Sequence, residues 1–282
     1  MSNRIVIYHA HCSDGLGAAW AFRRAMPDAT FHAAMHDGSP PPDVADKEVY
    51  IVDYSYPREV LLEMKAKAKS LVLLDHHKSA MEKVGDLDFC TFDMNRSGAG
   101  MAWDYLFPNE KRHWLIDYTE DKDIWRWTCQ NSREVNSALQ SYPLTFEAMD
   151  NLSKREPLDA TSYFDEYGER HLGSPSLRDE GATILRANRN MIDGIVNKAR
   201  EIDIQGHKVM CVNSPVLQSE IGNYLSKNKP FAAVWFENEL GEKVYSLRSS
   251  ENGVDVSKIA AAYGGGGHAK AAGFRLKVGE NL

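Results

Sequence analysis

Short apolar runs alternate with amphipathic stretches along the first hundred residues. Three runs rich in β-branched and aliphatic residues, at residues 4–9, 48–53 and 70–74, predict buried strands. Small and apolar residues at helical spacing follow the first run over residues 14–26, and Pro57 opens a second amphipathic stretch in a position typical of a helix start. Strands that alternate with helices predict βαβ units and a parallel sheet.

The middle of the chain has a different pattern. Helical spacing dominates from about residue 97 to residue 199, and its last part carries charges of alternating sign. This change predicts a first domain over residues 1–175 that is followed by a helical connector over residues 176–201.

Strand-like patterns return after the predicted connector. They lie at residues 207–214, 231–238 and 242–249, and a helical stretch at residues 217–229 separates the first two. The pattern predicts a second, smaller α/β domain over residues 202–282. The predicted fold class is therefore α/β, with a parallel-sheet domain, a helical connector and a smaller α/β domain.

The composition limits the classes of function. The chain has 282 residues, of which 43% are hydrophobic and 26% are charged, and this suits two globular domains. The formal charge is −7, whereas proteins that clamp long duplexes carry a basic face, so we predict no duplex nucleic-acid partner. A small anionic substrate stays open, because a few local cations or metal ions can bind it.

Cysteine usage and the first residues bear on the compartment. None of the four cysteines forms a CxxC pair, which argues against a zinc ribbon or a redox motif and favours a reducing compartment. The opening apolar run is too short for the core of a signal peptide or for a membrane span. We therefore predict a cytoplasmic protein with no membrane partner.

Polar side chains that bind metals follow all three predicted strands of the first domain. They are His9, His11, Cys12 and Asp14 at the end of the first strand, Asp53 at the end of the second, and Asp75, His76 and His77 at the end of the third. Neighbouring strands lie roughly 4.8 Å apart, so the carboxyl ends of parallel strands can bring these groups together. Carboxylate oxygens and imidazole nitrogens suit a divalent metal of the Mn²⁺ or Mg²⁺ type, and two such ions can share a hydroxide.

Each of these groups also has a purely structural interpretation. Asp14 could cap the helix that it precedes, and Asp53 could form a turn. The run Asp75-His76-His77 at the end of an apolar strand has few structural uses, and it favours a functional site.

A glycine-rich segment near the C-terminus is the second candidate site. Gly264, Gly265, Gly266 and Gly267 precede His268. Such a backbone can expose N–H groups to a phosphate, and the helix-like AKAA pattern that follows would add an N-terminal dipole. Arg248, at the end of a predicted strand, could bind the phosphate bidentately. A flexible glycine turn is the alternative.

The motifs LLDHH, at residues 73–77, and GGGGHAKAAGF, at residues 264–274, together resemble the DHH phosphoesterase family with its associated C-terminal domain, among them oligoribonucleases and RecJ-related enzymes. The motifs SLRS, from Ser246, and HCSDGLGAAW, after the first strand, also fit. The resemblance implies two α/β domains that face each other across a cleft. The first would hold two divalent metal ions, with Mn²⁺ expected and Mg²⁺, Co²⁺ or Zn²⁺ as alternatives, and the second would bind the substrate.

The resemblance also implies roles for individual residues. The implied metal ligands are His9, Asp14, the bridging Asp53, His76 and Asp121. Asp121 is preferred to Asp123 because the family places this residue after a helix with apolar spacing. His77 would contact the reacting phosphate and help the leaving oxygen accept a proton, and Asp75 would orient a histidine.

One position departs from the pattern of the family. Cys12 stands where many members carry the first aspartate of an Asp-x-Asp pair. Either Cys12 or His11 could supply the missing ligand, and a thiolate would shift the preference toward softer metals such as Zn²⁺.

The resemblance implies hydrolysis of a phosphoester by metal-activated water. A phosphodiesterase that cleaves dinucleotides or very short single-stranded oligonucleotides to mononucleotides is favoured. A nucleotide phosphatase acting on 3′-phosphoadenosine 5′-phosphate or a similar compound is the alternative, and a non-catalytic nucleotide sensor is the second. The oligomeric state is not determined by the sequence, and a homodimer is possible. The aromatic stretch at residues 124–127 could either stack a base or pack against the core.

Overall fold

A computed structural model describes residues 3–36, 38–159, 162–164, 170–173, 175–280 and 282. The chain divides into two compact units, Met1–Leu185 and Arg186–Leu282. The boundary falls inside one helix of 20 residues, Leu177–Val196, which lies within the stretch predicted as a connector.

The first unit contains a five-stranded sheet in which all neighbouring strands are parallel. Its strands are β1 (Arg4–His9), β2 (Thr30–Ala34), β3 (Glu48–Val52), β4 (Ser70–Asp75) and β5 (Cys90–Phe92). Their order is β2-β1-β3-β4-β5. The predicted parallel sheet is confirmed, and the three predicted strands are its centre, β1, β3 and β4.

Helices cover both faces of this sheet. Alternate residues of β1 point to opposite faces, so that Val6 packs into one hydrophobic core and Ile5 and Ile7 pack into the other. The helices that this unit contains before residue 160 are α1 (Ser13–Ala25), α2 (Arg58–Lys67), α3 (Lys78–Val84), α4 (Gly98–Leu106), α5 (Trp114–Asp123), α6 (Ser132–Leu139) and α7 (Phe146–Leu152).

The stretch predicted as mainly helical, residues 97–199, contains a short strand pair as well. The backbone of β6 (Ser162–Phe164) pairs antiparallel with that of β7 (Arg170–Leu172), and α8 (Leu177–Val196) follows. Residues 160–161, 165–169 and 174 of the predicted helical stretch lie outside the described residues.

The second unit contains a mixed six-stranded sheet in the order β12-β13-β11-β10-β9-β8, in which only β9 and β10 pair in parallel. Its elements are β8 (Arg200–Ile204), β9 (His207–Asn213), α9 (Gln218–Leu225), β10 (Ala232–Glu237), β11 (Lys243–Arg248), α10 (Val256–Ala261), β12 (Gly266–Gly267) and β13 (Ala271–Leu276). The helix expected after the glycines is wrong, because residues 271–276 pair with β11 as a strand. Among the described residues, no helix combines the length and the apolar character that crossing a membrane requires.

Candidate metal centre

The candidate centre lies where the strand order of the first sheet changes direction, between β1 and β3. In open α/β sheets this switch point opens a crevice at the carboxyl ends of the strands. His9 is the last residue of β1, Asp53 follows β3, and Asp75 is the last residue of β4. Asp53 and Asp75 are each only 1% exposed, so the fold buries two carboxyl groups at this edge.

His76 lies among three carboxylates. Its Nε2 atom is 3.2 Å from Asp53 Oδ1, and it is 3.5 Å from both Asp14 Oδ2 and Asp123 Oδ2. Asp14, His76 and Asp123 each offer one ligand atom, and these atoms all lie within 4.8 Å of one another. This group has the size and the donors of a metal site.

A second group of donors lies on the other side of Asp53. His9, Cys12 and Asp53 also offer ligand atoms within 4.8 Å of one another, and His9 Nδ1 lies 3.7 Å from Asp53 Oδ2. One oxygen of Asp53 therefore faces His76 and the other faces His9. A carboxylate placed in this way can bridge two ions.

Asp75 holds the His77 ring. Its Oδ1 atom accepts a hydrogen bond from the backbone N–H of His76 at 2.7 Å and lies 2.6 Å from His77 Nδ1. Burial would lower the pKa of His77, but the charge of Asp75 and this hydrogen bond raise it to about 9.

Asp14 is held by a helix other than the one it belongs to. Its Oδ2 atom accepts a hydrogen bond from Gly98 N at 2.6 Å, and its Oδ1 atom accepts one from Ala99 N at 3.0 Å. Both donors lie in the first turn of α4, whose positive dipole end favours a carboxylate. Asp14 therefore caps α4 and not α1, which corrects the structural interpretation of this residue.

Burial and mutual repulsion perturb the carboxyl groups around His76. Burial, followed by the charges of Asp123 and Asp53, raises the pKa of Asp14 well above its ordinary value. Burial and the charge of Asp53 also raise the pKa of Asp123. Burial would lower the pKa of His76, but its hydrogen bond with Asp53 and the charges of Asp14 and Asp123 raise it to about 10.

These residues fit a divalent cation. Three carboxylates repel one another around a single imidazole, and a cation would relieve that repulsion. Asp53 Oδ2 and His9 Nδ1 are buried, and neither makes a hydrogen bond within the described part of the chain. Buried polar atoms of this kind are normally satisfied, and here they face the same point.

Asp121, the expected aspartate ligand of α5, belongs to none of the ligand groups among the described residues. Asp121 is 2% exposed, and its carboxylate accepts hydrogen bonds from Thr128 N at 2.8 Å, Thr128 Oγ1 at 2.9 Å and Cys129 N at 3.1 Å. These bonds fix the loop after the helix. Asp123, two residues further on, carries the carboxylate that lies 3.5 Å from His76.

Of the two candidates for the missing ligand, only Cys12 lies in the centre. Burial, followed by the charges of Asp53 and Asp14, raises the pKa of its thiol, so a nearby cation is needed to stabilise the thiolate. His11 is exposed at a turn with φ of 55° and belongs to none of the ligand groups among the described residues.

His36 is a ring at this site that the sequence analysis missed. It follows β2, stacks on Tyr54 with ring centroids 4.5 Å apart, and meets the edge of the His9 ring at 5.3 Å. The sequence could have revealed His36 only if β2 had been recognised as a strand. β2 pairs with β1 and brings Ala34 opposite His9, so His36, two residues later, lies beside the site.

The glycine-rich segment in the second unit is a tight hairpin and not an open cradle. The N–H groups of Gly264, Gly265 and His268 donate to the carbonyls of Ala261, Ala260 and Ala271, respectively. A Cβ atom at position 265 would lie 2.1 Å from the carbonyl oxygen of residue 273, so close packing explains this glycine. The predicted phosphate cradle is therefore wrong for the Gly265 and His268 N–H groups. Gly266 and Gly267 form β12.

The guanidinium of Arg248 is held within the second unit. It donates to Leu247 O at 2.8 Å and to Ser219 Oγ at 2.7 Å. Helix α9 allows this arrangement, because a Cβ atom at Gly222 would lie 2.7 Å from Arg248 Cγ. Arg248 is thus held in one orientation by the helix that packs beside it.

Comparisons with known proteins agree with this architecture. Residues 211–282 match the model of the DHHA1 domain. Oligoribonuclease NrnB of Bacillus subtilis (strain 168) is 30% identical over 221 residues, which cover 72% of this chain and 52% of that protein. An uncharacterized protein of Acanthamoeba polyphaga mimivirus is 26% identical over 292 residues, which cover 96% of this chain and 66% of that protein. The chain thus spans between half and two thirds of the length of these two relatives.

One solved structure extends the comparison to the whole fold. The crystal structure of RecJ in complex with Mn²⁺ from Thermus thermophilus matches with a TM-score of 0.52 at 13% identity, covering 97% of this chain and 49% of that chain. The likeness confirms the α/β fold.

Proposed function

We propose that this chain is a divalent-metal phosphodiesterase of the DHH family, which hydrolyses dinucleotides or very short oligonucleotides to mononucleotides. The observation that carries the proposal is Asp53, whose two carboxylate oxygens face two separate groups of metal ligands. The named activity of the relative from Bacillus subtilis supports the substrate class.

The proposed ligands form two metal positions. His9 and Cys12 would hold one ion, and Asp14, His76 and Asp123 would hold the other. Asp53 would bridge the two positions. When bound, the two ions supply an activated water and stabilise charge on the phosphoryl oxygens.

His77 would act on the substrate, since Asp75 fixes its ring through Nδ1. We assign Nε2 of His77 to the phosphoryl group, where it can hold a proton for the leaving oxygen. Asp75 is then a positioning residue that sets the orientation of the imidazole.

The second unit would supply the contacts that hold the substrate phosphate. Arg248 and the His268 side chain are the proposed ligands, because a guanidinium and an imidazole can both bind a phosphate. Gly265, Gly266 and Gly267 would act by shaping the hairpin that carries His268, since the N–H of Gly265 already has a carbonyl partner.

The test is release of mononucleotide from an end-labelled RNA dinucleotide with Mn²⁺, Mg²⁺, Zn²⁺ or EDTA. Turnover is expected only with metal, and Asp53→Asn is expected to leave less than about 1% of it. The matched control is Asp117→Asn, which changes another carboxylate of α5 that belongs to none of the ligand groups among the described residues. This variant is expected to retain turnover.

Two results would contradict the proposal. Hydrolysis that survives EDTA, or an active Asp53→Asn protein, would exclude the metal scheme. Release of inorganic phosphate from a nucleoside 3′,5′-bisphosphate with intact dinucleotide would indicate the nucleotide phosphatase instead.

A further inference from the structure

Two tryptophans in the loop after helix α5 have a left-handed backbone conformation. Helix α5 ends at Asp123, and Trp125 and Trp127 follow with φ of 58° and 59°. A bulky residue rarely adopts a positive φ, because its Cβ atom crowds the following carbonyl oxygen. Residues held in such conformations cluster at functional sites.

Trp125 occupies a position that normally selects glycine. Its N–H donates to Lys122 O at 3.0 Å, and the N–H of Arg126 donates to Asp121 O at 2.8 Å. These two bonds form a Schellman motif, in which the left-handed residue is usually glycine. The backbone therefore does not favour a tryptophan here, and the reason for this residue must lie in its side chain.

The two indole rings do not serve the hydrophobic core. Neither belongs to the buried clusters in the described part of the chain, and Trp125 is 37% exposed. The rings meet at 80° with centroids 4.8 Å apart, and the Arg133 guanidinium lies 4.4 Å from the Trp127 ring centroid. Arg133 thus supports Trp127, and the two rings form an aromatic corner at the surface. This arrangement contradicts packing against the core, one of the two roles considered for this stretch.

The Trp127 ring also carries a buried polar group. Its Nε1–H is buried, and it has no acceptor among the described residues. Tryptophan is a donor only, and such a donor usually finds a partner when it is buried.

We propose that Trp125 and Trp127 form a stacking subsite for a nucleobase of the substrate. Asp123 Oδ2 lies 3.5 Å from His76 Nε2 in the metal centre. Trp125 is two positions further along the chain, so its Cα lies at most ~7 Å from that of Asp123. A base carried by the scissile phosphodiester is within reach of the corner. Aromatic stacking accepts any base, so this subsite selects nucleotides over other phosphodiesters without reading their sequence. The inference rests on the proposed phosphodiesterase function.

The experiment compares Trp125→Gly, Trp125→Phe and the unchanged protein. Binding of a 2-aminopurine RNA dinucleotide is followed by fluorescence in EDTA, and turnover is followed with Mn²⁺. Trp125→Gly is expected to weaken binding and to raise KM by about tenfold, with kcat less affected, and Trp125→Phe is expected to restore most of the loss. The unfolding temperature of Trp125→Gly is expected to equal or exceed that of the unchanged protein, because glycine suits the backbone at this position.

Two comparisons separate stacking from a structural role. Tyr105→Ala removes an aromatic ring that is 47% exposed on α4, outside the corner, and should leave binding unchanged. With an abasic dinucleotide, the difference in KM between Trp125→Gly and the unchanged protein should shrink at least fivefold.

Each contrary result has a distinct meaning. Unchanged dinucleotide binding by Trp125→Gly, or equal losses with the base-bearing and abasic substrates, would overturn the subsite. A clear fall in the unfolding temperature would assign the ring to folding. If the unchanged protein binds the dinucleotide but does not cleave it, the phosphodiesterase proposal fails, and the binding comparison still decides the subsite.

Discussion

Asp53 combines the features of a bridging ligand at the scale of a single residue. It is 1% exposed, its backbone has φ of 54°, and its two oxygens face His76 and His9. Burial would raise its pKa, yet the hydrogen bond with His76 and the nearby His9 ring hold the pKa well below its ordinary value. This keeps the carboxylate ionised, which is the form that the proposed bridging role requires.

The two aspartates near the end of α5 are expected to have separable roles. Asp123→Asn should sharply weaken Mn²⁺ binding without lowering the stability of the metal-free protein, because it relieves repulsion around His76. Asp121→Asn should retain metal binding but lose about 1–3 kcal/mol of stability, because it weakens the acceptors of Thr128 and Cys129. Calorimetric titration with Mn²⁺ and urea unfolding in EDTA measure the two effects. The assignment is wrong if the two variants exchange these behaviours.

Cys12 should set the metal preference of the centre. Cys12→Asp replaces a soft ligand by a hard one beside His9 and Asp53, so the ratio of Zn²⁺ to Mn²⁺ affinity should fall by about tenfold or more. Cys90→Ser, a change at a half-buried thiol on β5, should leave the ratio unchanged. Competition titrations with both metals give the ratio. An unaltered ratio in Cys12→Asp would show that the thiol does not touch a metal.

The sequence predicted most of the residues that the structure brings together, because they all lie at or just after the ends of apolar strands: His9, Cys12, Asp14, Asp53 and the Asp75–His77 run. It could not decide between Asp121 and Asp123 within α5. Residues two positions apart lie on different sides of a helix, and only the packing of that helix determines which side faces the site. The αL tryptophans were equally hidden, since a single sequence does not show backbone strain.

Helix α4 positions the centre at the scale of an element. Its first N–H groups bind Asp14, and the side chain of Ser97 caps it by accepting a hydrogen bond from Gly100 N at 3.1 Å. Glu120 on α5 accepts a hydrogen bond from Ser97 N at 3.1 Å, and Arg112 donates to Glu120 at 2.8 Å. The helix terminus, and through it the Asp14 carboxylate, is thereby fixed.

Gly98 is expected to be essential for this arrangement. A Cβ atom there would lie 2.5 Å from Asp53 Cβ and 3.0 Å from Asp14 Oδ2. Gly98→Ala should therefore displace Asp14 or Asp53 and lower metal affinity and turnover by about 10- to 100-fold. Gly194→Ala on α8, where no atom of the described residues lies within 4 Å of the added Cβ, is the matched control and should be neutral or stabilising. Wild-type metal affinity in a folded Gly98→Ala protein would contradict the positioning role.

The elements that escaped the sequence analysis have identifiable physical causes. β2 has the sequence TFHAA and lacks an apolar alternation, and β5 has only three residues. The alanines of the AKAAGF segment favour a helix locally, but pairing of β13 with both β11 and β12 overrides that propensity. β1, β3 and β4 were predicted within a residue because buried central strands are continuously apolar.

At the scale of the whole molecule, the two units have different architectures and separate hydrophobic cores. The first is built on a parallel sheet and contains all of the proposed metal ligands, and the second is built on a mixed sheet with its own core. The chain carries a formal charge of −7. Because the proposed ligands all lie in the first unit, we expect metal binding to stabilise that unit. Its buried carboxylates oppose folding in the absence of a cation.

Metal removal should lower the stability of the first unit and leave the second unchanged. A ligand at 100 times its dissociation constant adds about 2.7 kcal/mol to the folded state, which for a unit of this size raises the unfolding temperature by roughly 5–10 °C. Scanning calorimetry of the full chain in EDTA and with excess Mn²⁺ should show this shift in one transition. Asp53→Asn should abolish the shift, because the bridge between the two ligand groups is lost. An equal shift in Asp53→Asn would place the bound metal elsewhere on the protein.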